Sequence, residues 1–381
     1  MIYFDNSATT LPFPEVVNSF VKVSTEYFGN PSSLHGIGAM AERLLSQARN
    51  QIAELLEVKE REIFFTSGGT EGNNLAIKGV ALAHQNRGKH IIISSIEHPS
   101  VKLACEQLQT MGFEVTYLNV DKFGRVSVDE LEKSLRQDTI LVSVMHVNNE
   151  TGTIQPIVEI GNRLKNYPKV LFHVDNVQGV GKVDLNIKGS HIDLCTFSAH
   201  KFHGLKGNGF LYVREGVPIS PLLSGGNQEM KLRSGTENVA GAVSTARALR
   251  MIKQEMETGK THIDEIKQYL RSNLETIEGV VINTSIQFSA PHILNFSLPG
   301  MKSEVVIHDL EEKGIYVSTT SACSSKKKTI SQTVLAMTND ETLAGSTVRI
   351  SLSYQNNLEE AKAFIETFIH TIKQLKQVMR S

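Results

Sequence analysis

Between Ile63 and Val213 short apolar runs alternate with stretches whose apolar positions recur at helical spacing. Ile63-Phe64-Phe65-Thr66, His90 to Ile96, Glu114 to Asn119, Thr139 to Val147, Val170 to Val174, Ile192 to Phe197 and Phe210 to Val213 predict strands. Leu75 to Ala83, Pro99 to Met111, Val128 to Arg136 and Pro156 to Leu164 predict the helices between them, with Pro99 supplying a preset first-turn φ. Upstream, Glu15 to Phe28 and Gly38 to Leu56 read as helices; in the second, Leu44, Ala48, Ile52 and Leu55 or Leu56 share a face. Gly29-Asn30-Pro31-Ser32-Ser33 separates them, because Pro31 disfavours helical angles at Asn30. Repeated strand-helix units require a mainly parallel sheet covered on both faces, which is an α/β fold.

Past Pro218-Ile219-Ser220-Pro221 the rhythm changes. Val239 to Met256 and His262 to Ile277 predict two long amphipathic helices. Val280 to Asn283, His292 to Ser297, Ile315 to Val317 and Thr347 to Leu352 predict a second, smaller sheet, with helices at Glu304 to Glu312 and Leu358 to Val378. The expected organisation is an N-terminal arm at 1–14, a large domain at 15–258 and a small C-terminal α/β domain at 259–381, onto which the opening helices fold back.

Composition narrows the function classes. The 381 residues are 40% hydrophobic, enough for a large core, and 39 basic against 40 acidic residues leave a formal net charge of -1. No global charge draws the chain to nucleic acid or an anionic membrane. The start Met1-Ile2-Tyr3-Phe4-Asp5 lacks a basic segment followed by an apolar one, and no apolar run is long enough to span a bilayer, so a cytoplasmic location is expected. Cys105, Cys195 and Cys323 neither pair completely nor show ligand spacing, which predicts a reducing compartment and no metal. Cys105 and Cys195 read as small buried hydrophobes. Cys323 lies in a polar segment followed by Ser324-Ser325-Lys326-Lys327-Lys328, whose charge favours a thiolate.

The candidate chemistry falls at strand ends, where ligands of parallel sheets gather. Ser67-Gly68-Gly69-Thr70-Glu71-Gly72-Asn73-Asn74 stands between a strand and a helix, so free helix-start amides and the Thr70 hydroxyl make an anion cradle. It is neither a dinucleotide fingerprint nor a Walker loop, since the glycine spacing differs and no lysine ends it. Ser198-Ala199-His200-Lys201 closes another strand; Lys201 either forms a Schiff base with pyridoxal phosphate or reaches into solvent. Asp175 either keeps a pyridine nitrogen protonated or caps a turn, Gln178 donates to a ring phenolate oxygen or faces water, and His98 stacks on a ring or ends a turn.

Taken together, these segments resemble the cysteine desulfurases of the NifS/IscS type, within the class V aminotransferase family. The similarity runs essentially end to end through Tyr3-Phe4-Asp5-Asn6-Ser7-Ala8-Thr9-Thr10, Gly29-Asn30-Pro31-Ser32-Ser33-Leu34-His35, the Ser67 to Asn74 run, Val147-Asn148-Asn149-Glu150-Thr151-Gly152, Asp175-Asn176-Val177-Gln178, Ser198-Ala199-His200-Lys201, Arg233-Ser234-Gly235-Thr236 and Ser321-Ala322-Cys323. The resemblance implies the aspartate-aminotransferase-like fold (fold type I): a large domain with a mainly parallel seven-stranded sheet plus a small C-terminal α/β domain. It implies pyridoxal 5'-phosphate as cofactor, with Lys201 carrying it, Asp175 at the pyridine nitrogen, His98 and Gln178 on the ring, Asn149 beside it, and Gly69, Thr70, Ser198 and His200 at the phosphate. Thr236 is expected to reach the phosphate of a neighbouring subunit in a homodimer.

Arg349, with Asn149, matches the clamp for the substrate carboxylate, and Cys323 matches the nucleophile that takes sulfur from L-cysteine, leaving alanine and a persulfide. Lys201 is the expected carrier of the α-proton and His98 its support. A selenocysteine lyase or another class V lyase or aminotransferase would keep the same cofactor residues, and a non-catalytic sulfur-relay scaffold would need none of them. Two segments depart from the family pattern: the loop around Lys326 to Lys328 is short, and Ser351-Leu352-Ser353-Tyr354-Gln355-Asn356-Asn357 replaces the usual Ser-Leu-Gly run. Both bear on the sulfur acceptor, expected to be a tRNA-thiolation or thiamin-related sulfurtransferase rather than a general iron-sulfur scaffold.

Overall fold

Strands buried on both faces can be apolar throughout, and this is where the continuous apolar runs lie. The structure, a computed structural model, describes residues 1–319 and 330–378. After a short strand β1 (Ile2–Tyr3) and helices α1 (Pro14–Glu26) and α2 (Gly36–Leu55) come β2 (Ile63–Thr66), α3 (Gly69–His84), β3 (His90–Ser94), α4 (Pro99–Thr110), β4 (Glu114–Leu118), α5 (Val128–Ser134), β5 (Thr139–Met145), α6 (Ile157–Leu164), β6 (Leu171–Asp175), β7 (Leu194–Ser198) and β8 (Gly209–Val213). The sheet is seven-stranded in the order β2-β8-β7-β6-β5-β3-β4, parallel except for β8, which runs antiparallel to both neighbours. Every residue of β3, β5, β6, β7 and β8 is buried, whereas the edge strand β4 is half-exposed.

The remainder comprises α7 (Val239–Leu274), β9 (Val281–Ile282), β10 (Ile293–Ser297), α8 (Ser303–Glu312), β11 (Ile315–Tyr316), α9 (Gln332–Thr338), α10 (Glu341–Ala344), β12 (Thr347–Ser351) and α11 (Leu358–Val378). β12, β10 and β9 form an antiparallel sheet. Its face packs with Phe364 and Phe368 of α11, Leu310 of α8 and Phe4 from the start of the chain. The opening helices pack on the large core instead, through Val16, Leu45, Ala48 and Ile52.

The expectation of two helices after residue 238 is corrected: α7 is one helix of 36 residues, roughly 54 Å long. Its first half gives Ala242, Ala246, Leu249 and Ile252 to the large core, and its second half gives Ile263, Ile266, Leu270 and Leu274 to the small one. No residue from 253 to 262 is buried, so the hydrophobic period is interrupted there while the backbone ladder is not. Gly259, in this stretch, makes room for Tyr354: a Cβ on it would lie 2.7 Å from Tyr354 Cδ1. A second correction concerns the N-terminal segment, whose irregular composition hid β1. Ile2 and Tyr3 pair in parallel with Ile315 and Tyr316, and Asp5 bridges to Ser351. Among the described residues no helix is long and apolar enough to cross a membrane.

Candidate active site

The sheet order brings the ends of β3, β5, β6 and β7 side by side, with the start of α3 against them. A cavity of about 270 Å³ opens there, lined by Gly69, Thr70, His98, Asn149, Asp175, Gln178, Ser198, His200, Lys201 and Arg349. Ten positions singled out in the sequence thus share one hollow. Ser7 and Ala8, from the N-terminal arm, form part of its wall.

One end of the cavity suits an anion. α3 begins at Gly69, so its first amides have no carbonyl one turn back to bind, and Thr70, Ser198 and His200 surround them. The backbones approach closely here: Gly68 has φ +142°, and a Cβ on Gly69 would lie 2.9 Å from Val177 Cγ2. Burial, followed by the charges of Lys201 and Lys206, pushes His200 down to about 4, so it is neutral near pH 7. Its Nδ1 lies 3.2 Å from Thr9 Oγ1.

In the middle stands Asp175, the last residue of β6. Its Oδ1 accepts from the Val177 amide at 2.9 Å and its Oδ2 from Asn73 Nδ2 at 2.7 Å. Asn73 Nδ2 also reaches Ser100 Oγ at 2.8 Å, and Ser100 Oγ is 2.8 Å from His98 Nδ1. His98 caps α4 by accepting from the Ser100 amide, which orients its ring. Burial pushes His98 below its usual range, opposed by Asp175 and reinforced by Lys201. Asn73 and Ser100 were not singled out in the sequence. The available signal was spacing, since Asn73 lies three residues after Thr70 and therefore on the same face of α3.

At the other end Lys201 Nζ donates to the Ala8 carbonyl at 2.8 Å and to the Ser7 carbonyl, and Gln178 Nε2 donates to the same Ser7 carbonyl at 3.0 Å. Arg349 enters from β12; its Nη1 donates to the Asn149 carbonyl at 2.8 Å. Large-sheet and small-sheet residues therefore meet in the same cavity. Among the described residues, Ser7 Oγ, Asn73 Oδ1 and Arg349 Nε are buried there without hydrogen-bond partners.

Thr236 stands apart from this cavity and lines another of about 210 Å³ with Arg233, Glu229 and Asn238. The segment before it is held by charge: Arg49 pairs with Glu229, and Arg233 Nε donates to Glu71 Oε1 at 2.9 Å. Although burial pushes Glu71 up, its bonds to Arg233 and Ser67 keep it below the usual carboxylate range. Cys105 and Cys195 are buried free thiols, both pushed up by burial, Cys105 to about 12. Cys323, together with Lys326 to Lys328, lies outside the described residues. Among the described residues no group of three His, Cys, Asp or Glu is arranged to hold a metal ion.

A parallel sheet with a glycine-led helix start, a strand-end aspartate and a strand-end lysine converging on one cavity defines a recognisable enzyme class, and the family model for class V aminotransferases matches residues 2–364. The chain belongs to the class V aminotransferase family. Within that family it is 48% identical over 370 residues to a "NifS/IcsS protein homolog" of Lactobacillus delbrueckii subsp. bulgaricus, covering 97% of this chain and 96% of the relative. It is 42% identical over 377 residues to "Cysteine desulfurase IscS" of Methanosarcina thermophila, covering 99% and 93%. A solved structure described as a NifS-like protein superimposes with a TM-score of 0.92 at 39% identity, covering 98% of this chain and 99% of that one. The fold expected from the sequence, a mainly parallel α/β sheet of the NifS-like kind, is the one observed.

Proposed function

We propose that the protein is a pyridoxal-phosphate-dependent cysteine desulfurase, converting L-cysteine to L-alanine and leaving the sulfur as a persulfide on Cys323. The observation that carries this reading is the convergence of Lys201, Asp175 and Arg349 on one cavity. The cavity fits the cofactor: an anion end at Gly69, Thr70, Ser198 and His200, a carboxylate in the middle, a lysine opposite, and no room for a Cβ where α3 meets Val177. Bound there, pyridoxal phosphate supplies an electron-withdrawing ring that stabilises negative charge at the substrate α-carbon.

The chain's own residues do the rest. Asp175, fixed by Asn73 and the Val177 amide, would keep the ring nitrogen protonated. Gln178 and His98 would hold the ring, and Lys201 would carry the cofactor. Arg349 binds the substrate carboxylate with Asn149 beside it, which sets which α-carbon bond is labilised. Lys201 Nζ moves the proton at the α-carbon, and His98, pushed toward its neutral form, supports it. The Cys323 thiolate attacks the substrate sulfur; the S–S bond forms, the C–S bond breaks with its electron pair going to carbon, and a proton on that carbon completes alanine.

Several finer readings follow the same expectation. The working unit is a homodimer in which Thr236 completes the partner's phosphate site, and it acts in the cytoplasm. The division into a large and a small domain falls within α7, near residue 258. The persulfide passes to a sulfur-acceptor protein, a tRNA-thiolation or thiamin-related sulfurtransferase in preference to a general iron-sulfur scaffold, and the residues Lys326 to Lys328 contribute to its choice. A yellow, borohydride-reducible chromophore absent from Lys201→Ala tests the cofactor assignment. Equal amounts of alanine and sulfide from L-cysteine under reducing conditions, abolished in Cys323→Ser, test the reaction; unchanged turnover in that variant defeats it.

A further inference from the structure

Arg349 does not face the cavity as a lone cation. Its Nη2 pairs with Asp5 Oδ1 at 2.8 Å, its Nη1 is used by the Asn149 carbonyl, and its Nε is buried with no partner among the described residues. The Arg349 side chain is 6% exposed and that of Asp5 21%, so water screens the pair little. Arg349 lines the cavity, while Asp5 approaches it from beyond the lining residues. The guanidinium thus carries a protein carboxylate on one nitrogen and keeps a donor edge for a ligand carboxylate.

Asp5 has no evident duty in holding the arm. Backbone bonds do that: Ser351 N donates to the Phe4 carbonyl at 2.7 Å, Asn6 N to the Ser351 carbonyl at 3.2 Å, and Asn6 Nδ2 to the same carbonyl at 3.0 Å. Ser7 N donates to Ser351 Oγ at 2.8 Å. These contacts flank Asp5 on both sides and need nothing from its carboxylate. A charged group kept at this place without a structural load acts through the charge of its partner.

We infer that Asp5 is a specificity-determining positioning residue that tempers Arg349, so that the clamp holds an amino-acid carboxylate only when the rest of the substrate is also bound. This rests on the reading of Arg349 as the substrate clamp. An uncompensated buried guanidinium attracts any small anion; paired with Asp5 it presents hydrogen-bond donors with most of its charge already answered, and a second carboxylate is repelled by the first. Small carboxylates without an amino group are then poor competitors, and product alanine leaves readily.

The test compares holoenzymes of the native chain, Asp5→Asn, Asp5→Glu and Arg349→Ala. In Asp5→Asn the calorimetric dissociation constant for acetate falls by roughly tenfold while the KM for L-cysteine falls by about threefold or less and kcat moves less still; an equal fall in the two constants overturns the specificity claim. Asp5→Glu, which keeps the charge, restores weak acetate binding. Acetate binding and KM that stay the same or worsen in Asp5→Asn overturn the inference, and so does an Asp5→Asn protein that fails to fold or to retain the cofactor, since the carboxylate would then be structural. Arg349→Ala separates the two claims: if it leaves KM and acetate binding unaltered, the clamp reading itself fails, whatever Asp5 does.

Discussion

Asn73 shows how one amide sets the character of the site. Its Nδ2 bonds both Asp175 Oδ2 and Ser100 Oγ, joining the residue proposed to face the ring nitrogen to the one that orients His98. Asn73→Ala removes a hydrogen bond to a charged group and is expected to lower kcat/KM for alanine formation by roughly 10- to 100-fold with cofactor still bound; steady-state rates alongside the chromophore absorbance check this. Glu97 is a second informative residue. Buried beside the cavity-forming strand ends, it is pushed up by desolvation to about 8, although Ser94 Oγ and the Met145 amide donate to it. Between about 4.5 and about 8 the folded state therefore holds a proton that the unfolded state releases, so this contribution to stability is complete below that window and is lost as pH rises through it. Urea unfolding at pH 5 to 8 is expected to show a fall, on the order of a few kcal/mol, that Glu97→Gln flattens. Parallel curves for the two proteins would contradict the assignment. The strand-end residues were legible in the sequence because their neighbours in the chain mark them. Asn73, Ser100 and Asp5 were not, because their roles come from partners 102, 27 and 344 residues away.

At the scale of elements, what could be read depended on how each element is buried. The strands of the large sheet, covered on both faces, announced themselves as unbroken apolar runs. β1 did not, since two residues carry no period. α7 was misread because periodicity reports burial, and its middle is exposed while still helical. Gly259 gives a sharp test of this account. Helix propensity alone favours Gly259→Ala by about 1 kcal/mol, but the added methyl meets Tyr354 Cδ1 at 2.7 Å. The substitution is expected to lower stability by about 1 kcal/mol or more in the native chain, and by less when made in a Tyr354→Ser background, which is itself destabilised by losing the ring's packing and its bond to the Gly181 carbonyl. Thermal melts of the two single variants and the double one decide; a single variant more stable than the native chain would remove Tyr354 from the explanation.

For the molecule as a whole, α7 is the shared beam between a core that carries Lys201 and Asp175 and a core that carries Arg349. The cavity exists only while the two hold register. Met256→Pro, at a half-buried position in the middle of α7, breaks the ladder at a cost of about 3 kcal/mol without emptying either core. Its expected signature is a broadened or split thermal transition and a KM for L-cysteine raised by roughly tenfold or more, with the chromophore retained. Loss of chromophore with a single sharp transition would show that the cores do not respond separately.

The N-terminal segment has a further consequence, for synthesis rather than catalysis. Asn6 and Ser351, hydrogen-bonded to one another, are 345 residues apart, and Ile2 and Tyr3 find their strand partners only at Ile315 and Tyr316. A ribosome delivers one side of these pairings long before the other, so Phe4, which ends fully buried, must wait exposed while the large sheet folds. The wall that Ser7 and Ala8 give the cavity is complete only once these distant pairings are made. The segments of the large core are therefore all synthesised before those that finish the binding site.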